Sequence, residues 1–270
     1  MIVIKEKDSI WIRLLRIAFW LVIWQLIMVL VSDKICFAGP YETAKRLIEL
    51  LKTKDFYLAV FFTFTGIAGG YGVGMIVGTV LGYNAHFHPK FDYYVTPVID
   101  FFRYIPMVTV TLVALLWAEL GIIAFEVSVF LSLPVIYKHT VDGLKKANQH
   151  YLKRARQLKY NPIRKLVYIY QPLKVPGYVP GCHKAMNMCW KSGILAQLIT
   201  DKGVSIGTML AAARDERDIA AIFAFTIVIV CCSISFEKIV FGVMSLDILN
   251  AGKIDVAQFF KDIDNDDIML

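Results

Sequence analysis

The segment Gly66-Ile67-Ala68-Gly69-Gly70-Tyr71-Gly72-Val73-Gly74-Met75-Ile76-Val77-Gly78-Thr79-Val80-Leu81-Gly82 carries glycine at every fourth position, Gly66, Gly70, Gly74, Gly78 and Gly82, inside an apolar run from Tyr57 to Tyr83. That spacing leaves one side of a helix without side chains, so a second helix backbone can approach closely, as helices do in lipid. Gly69 and Gly72 superficially resemble a dinucleotide fingerprint, but no strand precedes them and no acidic ribose ligand follows in a βαβ unit. The segment reads as a packing seam.

The rest of the chain agrees with a membrane setting. Of 270 residues, 57% are apolar and 19% charged, with a mean hydropathy of +0.58, whereas soluble domains run near about 45–50% apolar and about 25% charged. Disorder, collagen and disulfide scaffolds are excluded. Each span takes about 20 residues, which leaves little chain for a soluble catalytic domain. Six apolar segments stand out, at about Leu14–Ser32, Tyr57–Tyr83, Pro97–Trp117, Ile122–Tyr137, Gly177–Thr200 and Ile219–Met244. The first has no small-residue cleavage site after it and reads as a retained span with tryptophan anchors, Trp11, Trp20 and Trp24. After Phe37-Ala38-Gly39-Pro40 the chain breaks, and Glu42–Lys54 repeats apolar residues at the spacing of a short amphipathic helix lying on the membrane. The expected fold is thus all-α and integral to the membrane, in three parts. Residues 1–56 hold a span and an interfacial helix, residues 57–245 a core, and residues 246–270 an acidic tail with Asp262, Asp264, Asp266 and Asp267.

The formal charge of +7 has a simple source. Ten of the 29 Lys and Arg residues lie between Lys138 and Pro176. With both termini inside, 17 basic residues fall on the cytoplasmic side and eight on the outer side, which the positive-inside rule favours. A membrane-lipid partner explains the charge and nucleic acid does not, because no soluble basic face carries it. The five cysteines form no CxxC and read as small packing residues. His86, His88 and Asp92 lack a third well-spaced ligand for a metal. No nucleophile elbow or triad spacing is present, so catalysis has no support.

Within the long polar stretch, Lys145–Lys159 is rich in helix formers and ends before Asn161-Pro162, a favoured cap and first helical residue. Two short helices meeting at a corner are expected over about 145–166. The run Lys153-Arg154-Ala155-Arg156-Gln157-Leu158-Lys159, then Asn161, Pro162, Pro172 and Pro176, resembles the cytoplasmic signature of binding-protein-dependent ABC transporter permeases. Phe101-Phe102-Arg103-Tyr104-Ile105-Pro106 is similar to the family's arginine-and-proline stretch opening the third span. Gly181-Cys182-His183 through Trp190, with Gly203-Val204-Ser205-Ile206-Gly207, is similar to its fifth span and the following loop. Phe37-Ala38-Gly39-Pro40 fits the nitrate, sulfonate and taurine branch.

The resemblance covers roughly residues 35–245. It implies a type I importer permease with a cytoplasmic coupling elbow, pairing with a second permease copy. ATPase subunits that carry ATP and Mg would bind inside and a substrate-binding protein outside, with no cofactor and no enzymatic activity in this chain. It also implies a small anion of the sulfonate, taurine or nitrate type as substrate; relatives of this kind carry thiamine-precursor pyrimidines as well. The chain departs from the pattern where Lys153 stands at an acidic position, Arg154 at an alanine and Lys159 at the turn glycine, which implies an ATPase groove more acidic than usual. An ATP-independent secondary transporter is the rival reading, though no internal inverted repeat is visible.

Ionisable residues inside spans need a partner, a wet cavity or a route to the surface. Lys184, Asn187 and Lys191 recur at helical spacing on one side of the fifth span, and Arg103 opens the third. Either Arg103, Asn187 and Lys191 line a translocation path that favours an anion, or Lys184 snorkels to the interface while Lys191 neutralises Glu126. The mixed charges Asp201, Arg214, Asp215, Glu216 and Arg217 suit either a binding-protein dock or a solvated loop.

Overall fold

The computed structural model describes residues 10–31, 37–116, 122–145, 171–200 and 203–252, and among them the only regular secondary structure is helical. The helices are α1 (Ile10–Val31), α2 (Pro40–Leu50), α3 (Lys54–Phe87), α4 (Pro89–Tyr104), α5 (Met107–Leu115), α6 (Ile123–Lys145), α7 (Gln171–Thr200), α8 (Ile206–Asp215) and α9 (Ile219–Gly252). By length and composition α3 and α9 can each cross a bilayer alone, and α4 with α5 makes a third span if the bent pair is taken as one. The 34 residues of α3 reach about 51 Å at 1.5 Å per residue, well beyond the roughly 30 Å hydrocarbon core.

The glycine seam forms as its spacing predicts, and α6 fills it. Gly70, Gly74, Gly78 and Gly82 are buried along α3. A Cβ on Gly78 would stand 2.7 Å from the Leu133 carbonyl oxygen, and one on Gly82 would stand 2.8 Å from Thr140 Cβ. Gly72, on another face, would meet nothing. Helix α7 also packs by glycine: a Cβ on Gly177 would lie 2.9 Å from Gly143 Cα of α6, and one on Gly193 would lie 2.8 Å from Ile67 of α3. Helices α3, α6 and α7 thus all touch one another. Around this contact Ile67, Tyr71, Ala124, Ile136, Cys182, Met186, Cys189 and Trp190 form the main apolar core. Cys182 and Cys189 are packing residues here, and Cys189 Sγ donates to the Ser128 carbonyl at 3.4 Å.

One segment differs from the single third span expected over Pro97–Trp117. Helices α4 and α5 are bent by 95°. The cause is local: Ile105 takes extended backbone (φ −68°, ψ 127°) before Pro106, because a residue preceding proline is pushed out of the helical region. Pro106 then serves as N-cap of α5. Nine residues of α5 reach only about 14 Å, so α5 cannot cross alone. The other elements run longer than their apolar cores suggested, with α6 continuing to Lys145 and α9 to Gly252. The interfacial segment expected over Glu42–Lys54 divides: α2 covers Pro40–Leu50, and α3 starts at Lys54.

The two ends of the bundle are closed by different contacts. At one end, residues 84–92 adjoin the C-terminus of α6, through the cluster of Ala85, Ile99, Tyr137 and Val141. At the other, α2 docks on the start of α9, where Arg46 Nε donates to Asp218 Oδ2 at 2.7 Å. Asp218 also accepts from the Ala221 amide at 3.0 Å, closing the first turn of α9 after Arg217 turns the chain at φ 57°. At that end a buried polar link locks α3 to α7 and α8: Thr63 Oγ1 donates to Gln197 Oε1 at 3.0 Å and accepts from the Ile206 amide at 2.9 Å.

Candidate functional site

Helix α7 supplies the candidate pathway side chains. Its inner face, Cys182, Ala185, Met186, Cys189, Trp190, Gly193, Ala196 and Gln197, is buried, while Lys184, Asn187 and Lys191 share an exposed stripe that continues through Leu195 and Ile199. The stripe is polar toward the Gln171 end of α7 and apolar toward the Thr200 end. Asn187 and Lys191 thus share one face, as the spacing predicted. Lys191 makes no ion pair among the described residues, and Glu126 is not bonded to it. Instead, one carboxylate oxygen of Glu126 is buried with no hydrogen-bond partner among the described residues.

Arg103 sits apart from that stripe, at the last turn of α4, where its Nη1 donates to Asp100 Oδ1 at 3.0 Å. The break in the third segment nevertheless reaches α7. Ser192, next to Lys191, donates to Met107 Sδ at 3.1 Å, and Met107 is the first residue after Pro106. The α4–α5 corner therefore touches α7 at Ser192, the buried chain neighbour of the exposed lysine. The elbow residues Lys153, Arg154, Ala155, Leu158, Lys159, Asn161 and Pro162 lie outside the described residues. What the structure places is the root of that stretch: the Gly143–Gly177 contact brings the end of α6 and the start of α7 together.

Two polar constellations were not singled out from the sequence. His183 Nδ1 of α7 meets Glu237 Oε1 of α9 at 3.1 Å, both half exposed, and the imidazole stacks on Phe241 with ring centroids 3.6 Å apart. An acid inside the last apolar run needs a partner, and that rule alone flags Glu237. The second surrounds Asp92 in the first turn of α4. It accepts from Tyr137 Oη at 3.2 Å, from Thr96 Oγ1, and from Lys145 Nζ at 3.4 Å. Asp92 is thus engaged in joining α4 to α6. At the other end of the bundle, hydrogen bonding to Glu49 and the Asp218 charge outweigh partial burial and hold the Arg46 guanidinium pKa above its ordinary value.

Comparison with known proteins gives this architecture a family. Residues 70–246, about two thirds of the chain, match the family described as binding-protein-dependent transport system inner membrane component. The chain belongs to that family. This permease is 22% identical over 255 residues to the bicarbonate transport system permease protein CmpB of Synechococcus elongatus, covering 87% of this chain and 88% of that protein. It is also 22% identical over 229 residues to the putative aliphatic sulfonates transport permease protein SsuC of Bacillus subtilis, covering 81% and 80% of the two chains. A CmpB of Synechocystis is 24% identical over 164 residues, covering 58% and 56%. The matched span starts at Gly70, inside the glycine seam, and takes in α4 through most of α9.

Proposed function

We propose that this permease is one half of the translocation pathway of an ATP-driven importer for a small anion, embedded by six spans with both termini in the cytoplasm. A second copy supplies the other half. ATPase subunits holding ATP and Mg dock on the elbow at about 145–166, and an extracytoplasmic binding protein delivers substrate at the end that holds α2 and α8. The observation that carries the anion reading is the exposed stripe of Lys184, Asn187 and Lys191 on α7, beside the α4–α5 corner. An ammonium on an exposed face, with no carboxylate partner among the described residues, offers charge to an anion, and the bicarbonate and sulfonate relatives fit the same chemistry. Within that class, sulfonate, taurine, nitrate and bicarbonate are the substrates to compare.

The experiment is uptake into vesicles carrying the permease with its ATPase and binding protein, using radiolabelled bicarbonate, taurine, an alkanesulfonate and nitrate. ATP-dependent accumulation of one anion is expected, and Lys191→Met should lower it about tenfold or more, the value of one charge-assisted hydrogen bond. Unchanged uptake in Lys191→Met removes the lysine from the pathway. Uptake of a thiamine-precursor pyrimidine in place of every anion overturns the substrate class. Uptake that follows an ion gradient, with no ATPase co-purifying, makes the chain a secondary transporter.

A further inference from the structure

Helix α4 is held at its two ends by quite different means. Its C-terminal end stops at the Ile105–Pro106 corner, where the chain turns by 95° into α5. Its N-terminal turn is tied to the last turns of α6 by polar groups. Tyr137 Oη lies 3.2 Å from Asp92 Oδ1 and 2.9 Å from Thr96 Oγ1, and Lys145 Nζ lies 3.4 Å from Asp92 Oδ2. Tyr137 is 0% exposed, packed with Ala85, Ile99 and Val141. Lys145 is 57% exposed and is the last described residue of α6 before residue 146, where the polar stretch continues.

We infer that Asp92 is a positioning residue that makes α4 follow the C-terminal end of α6, so that displacement of the 146–170 stretch is delivered to the α4–α5 corner beside Lys191. The inference rests on the reading above that an ATPase docks on that stretch. The physical warrant is the buried phenol. Both hydrogen-bond partners of Tyr137 Oη, Asp92 and Thr96, belong to α4. If α6 moved and α4 stayed, the hydroxyl would be left unsatisfied in an apolar cluster, which costs far more than a screened surface pair. Moving the two helices together keeps the Tyr137–Asp92 and Tyr137–Thr96 bonds intact. The flexible point is then the Pro106 corner, where no helical hydrogen bond spans the break, and Met107 carries the swing to Ser192 of α7. Lys145 contributes less, being exposed and screened.

The test uses the complete transporter, with ATPase and binding protein, in vesicles, and measures ATP hydrolysed per solute moved. Tyr137→Phe keeps the ring and its packing while removing the hydroxyl, and Asp92→Ala removes the acceptor. For both, the ATPase should still co-purify and hydrolyse ATP within about twofold of the parent, while uptake falls about tenfold, so that the ATP cost per solute rises by about that factor. Asp92→Asn retains an acceptor for Tyr137 and Thr96 and should restore uptake to within about threefold of the parent. Lys145→Gln should change the ratio least. An unchanged ratio in Tyr137→Phe and Asp92→Ala overturns the inference, as does a parallel loss of membrane accumulation, uptake and hydrolysis in both, which is the signature of a merely structural role. If the parent transports without ATP, the function reading itself fails, whereas an ATP-driven parent with unchanged variants removes this inference alone.

Discussion

The α3–α6–α7 seam and the α4–α5 limb flank the same helix, α6, and are attached to it by opposite means. In the seam, glycines let backbones touch, so that Gly78 meets the Leu133 carbonyl and Gly177 meets Gly143. Such contacts have one solution, because any added carbon collides with main chain. The limb uses larger side chains: Asp92 on Tyr137, Ile99 in the cluster with Tyr137 and Val141, Ala114 against Ile123 and Val127, and Phe102 edge-on to Phe130 with centroids 4.8 Å apart. Much of its remaining surface is exposed aromatic, with Tyr93, Tyr94, Phe101 and Tyr104 each more than half exposed. Within one chain, a seam closed by small residues and a limb held by larger side chains are written in different residue types. Close packing of small residues lets backbones touch, whereas the limb meets α6 through side chains on either side of a proline break.

The sharpest way to break this contrast is to fill the seam. Gly78→Leu forces carbons into the Leu133 and Tyr137 main chain and should reduce folded protein in the membrane about tenfold or more, since overpacking of this kind typically costs about 1–3 kcal/mol and here meets backbone on both sides. Gly72→Ala, which meets nothing, is the matched control, and equal loss in both would dismiss the seam. A smaller effect is expected from Thr63→Val, which leaves the Gln197 carbonyl and the Ile206 amide without their shared partner. The cost of about 1–3 kcal/mol should lower the melting midpoint in detergent by several degrees, while Thr63→Ser stays near the parent. The smallest change in stability belongs to the limb. Phe102→Ala removes one aromatic contact worth about 0.5–1.5 kcal/mol beyond its buried area, so accumulation should hold while uptake shifts. If it destabilises as much as Thr63→Val, the limb is part of the fixed body.

The seam was legible in the sequence because a period of four small residues has one physical use in lipid. The family was legible from scattered motifs that no single position carries. The corner at Ile105–Pro106 was not, since apolar composition runs through it unbroken and Pro106 reads equally well as the start of a span or as a hinge within one. Asp92 drew notice only as a neighbour of His86 and His88, because the phenol that engages it is 45 positions away in the chain. Glu237 and His183 escaped for the same reason: each looks costly alone, and only the fold puts Nδ1 and Oε1 at 3.1 Å. The alternative pairing of Lys191 with Glu126 needs both side chains turned to one point, and the structure leaves the two unbonded.

The contact between Gly143 and Gly177 has a consequence for how such a permease diversifies. Because the backbones of α6 and α7 already touch there, whatever lies between them starts and finishes at nearly one point. Closing a segment whose ends are pinned together costs little more as it lengthens. The 146–170 stretch is thus a cassette: its length and charge can be rewritten, Lys153, Arg154 and Lys159 included, without disturbing the register of the helices beneath it.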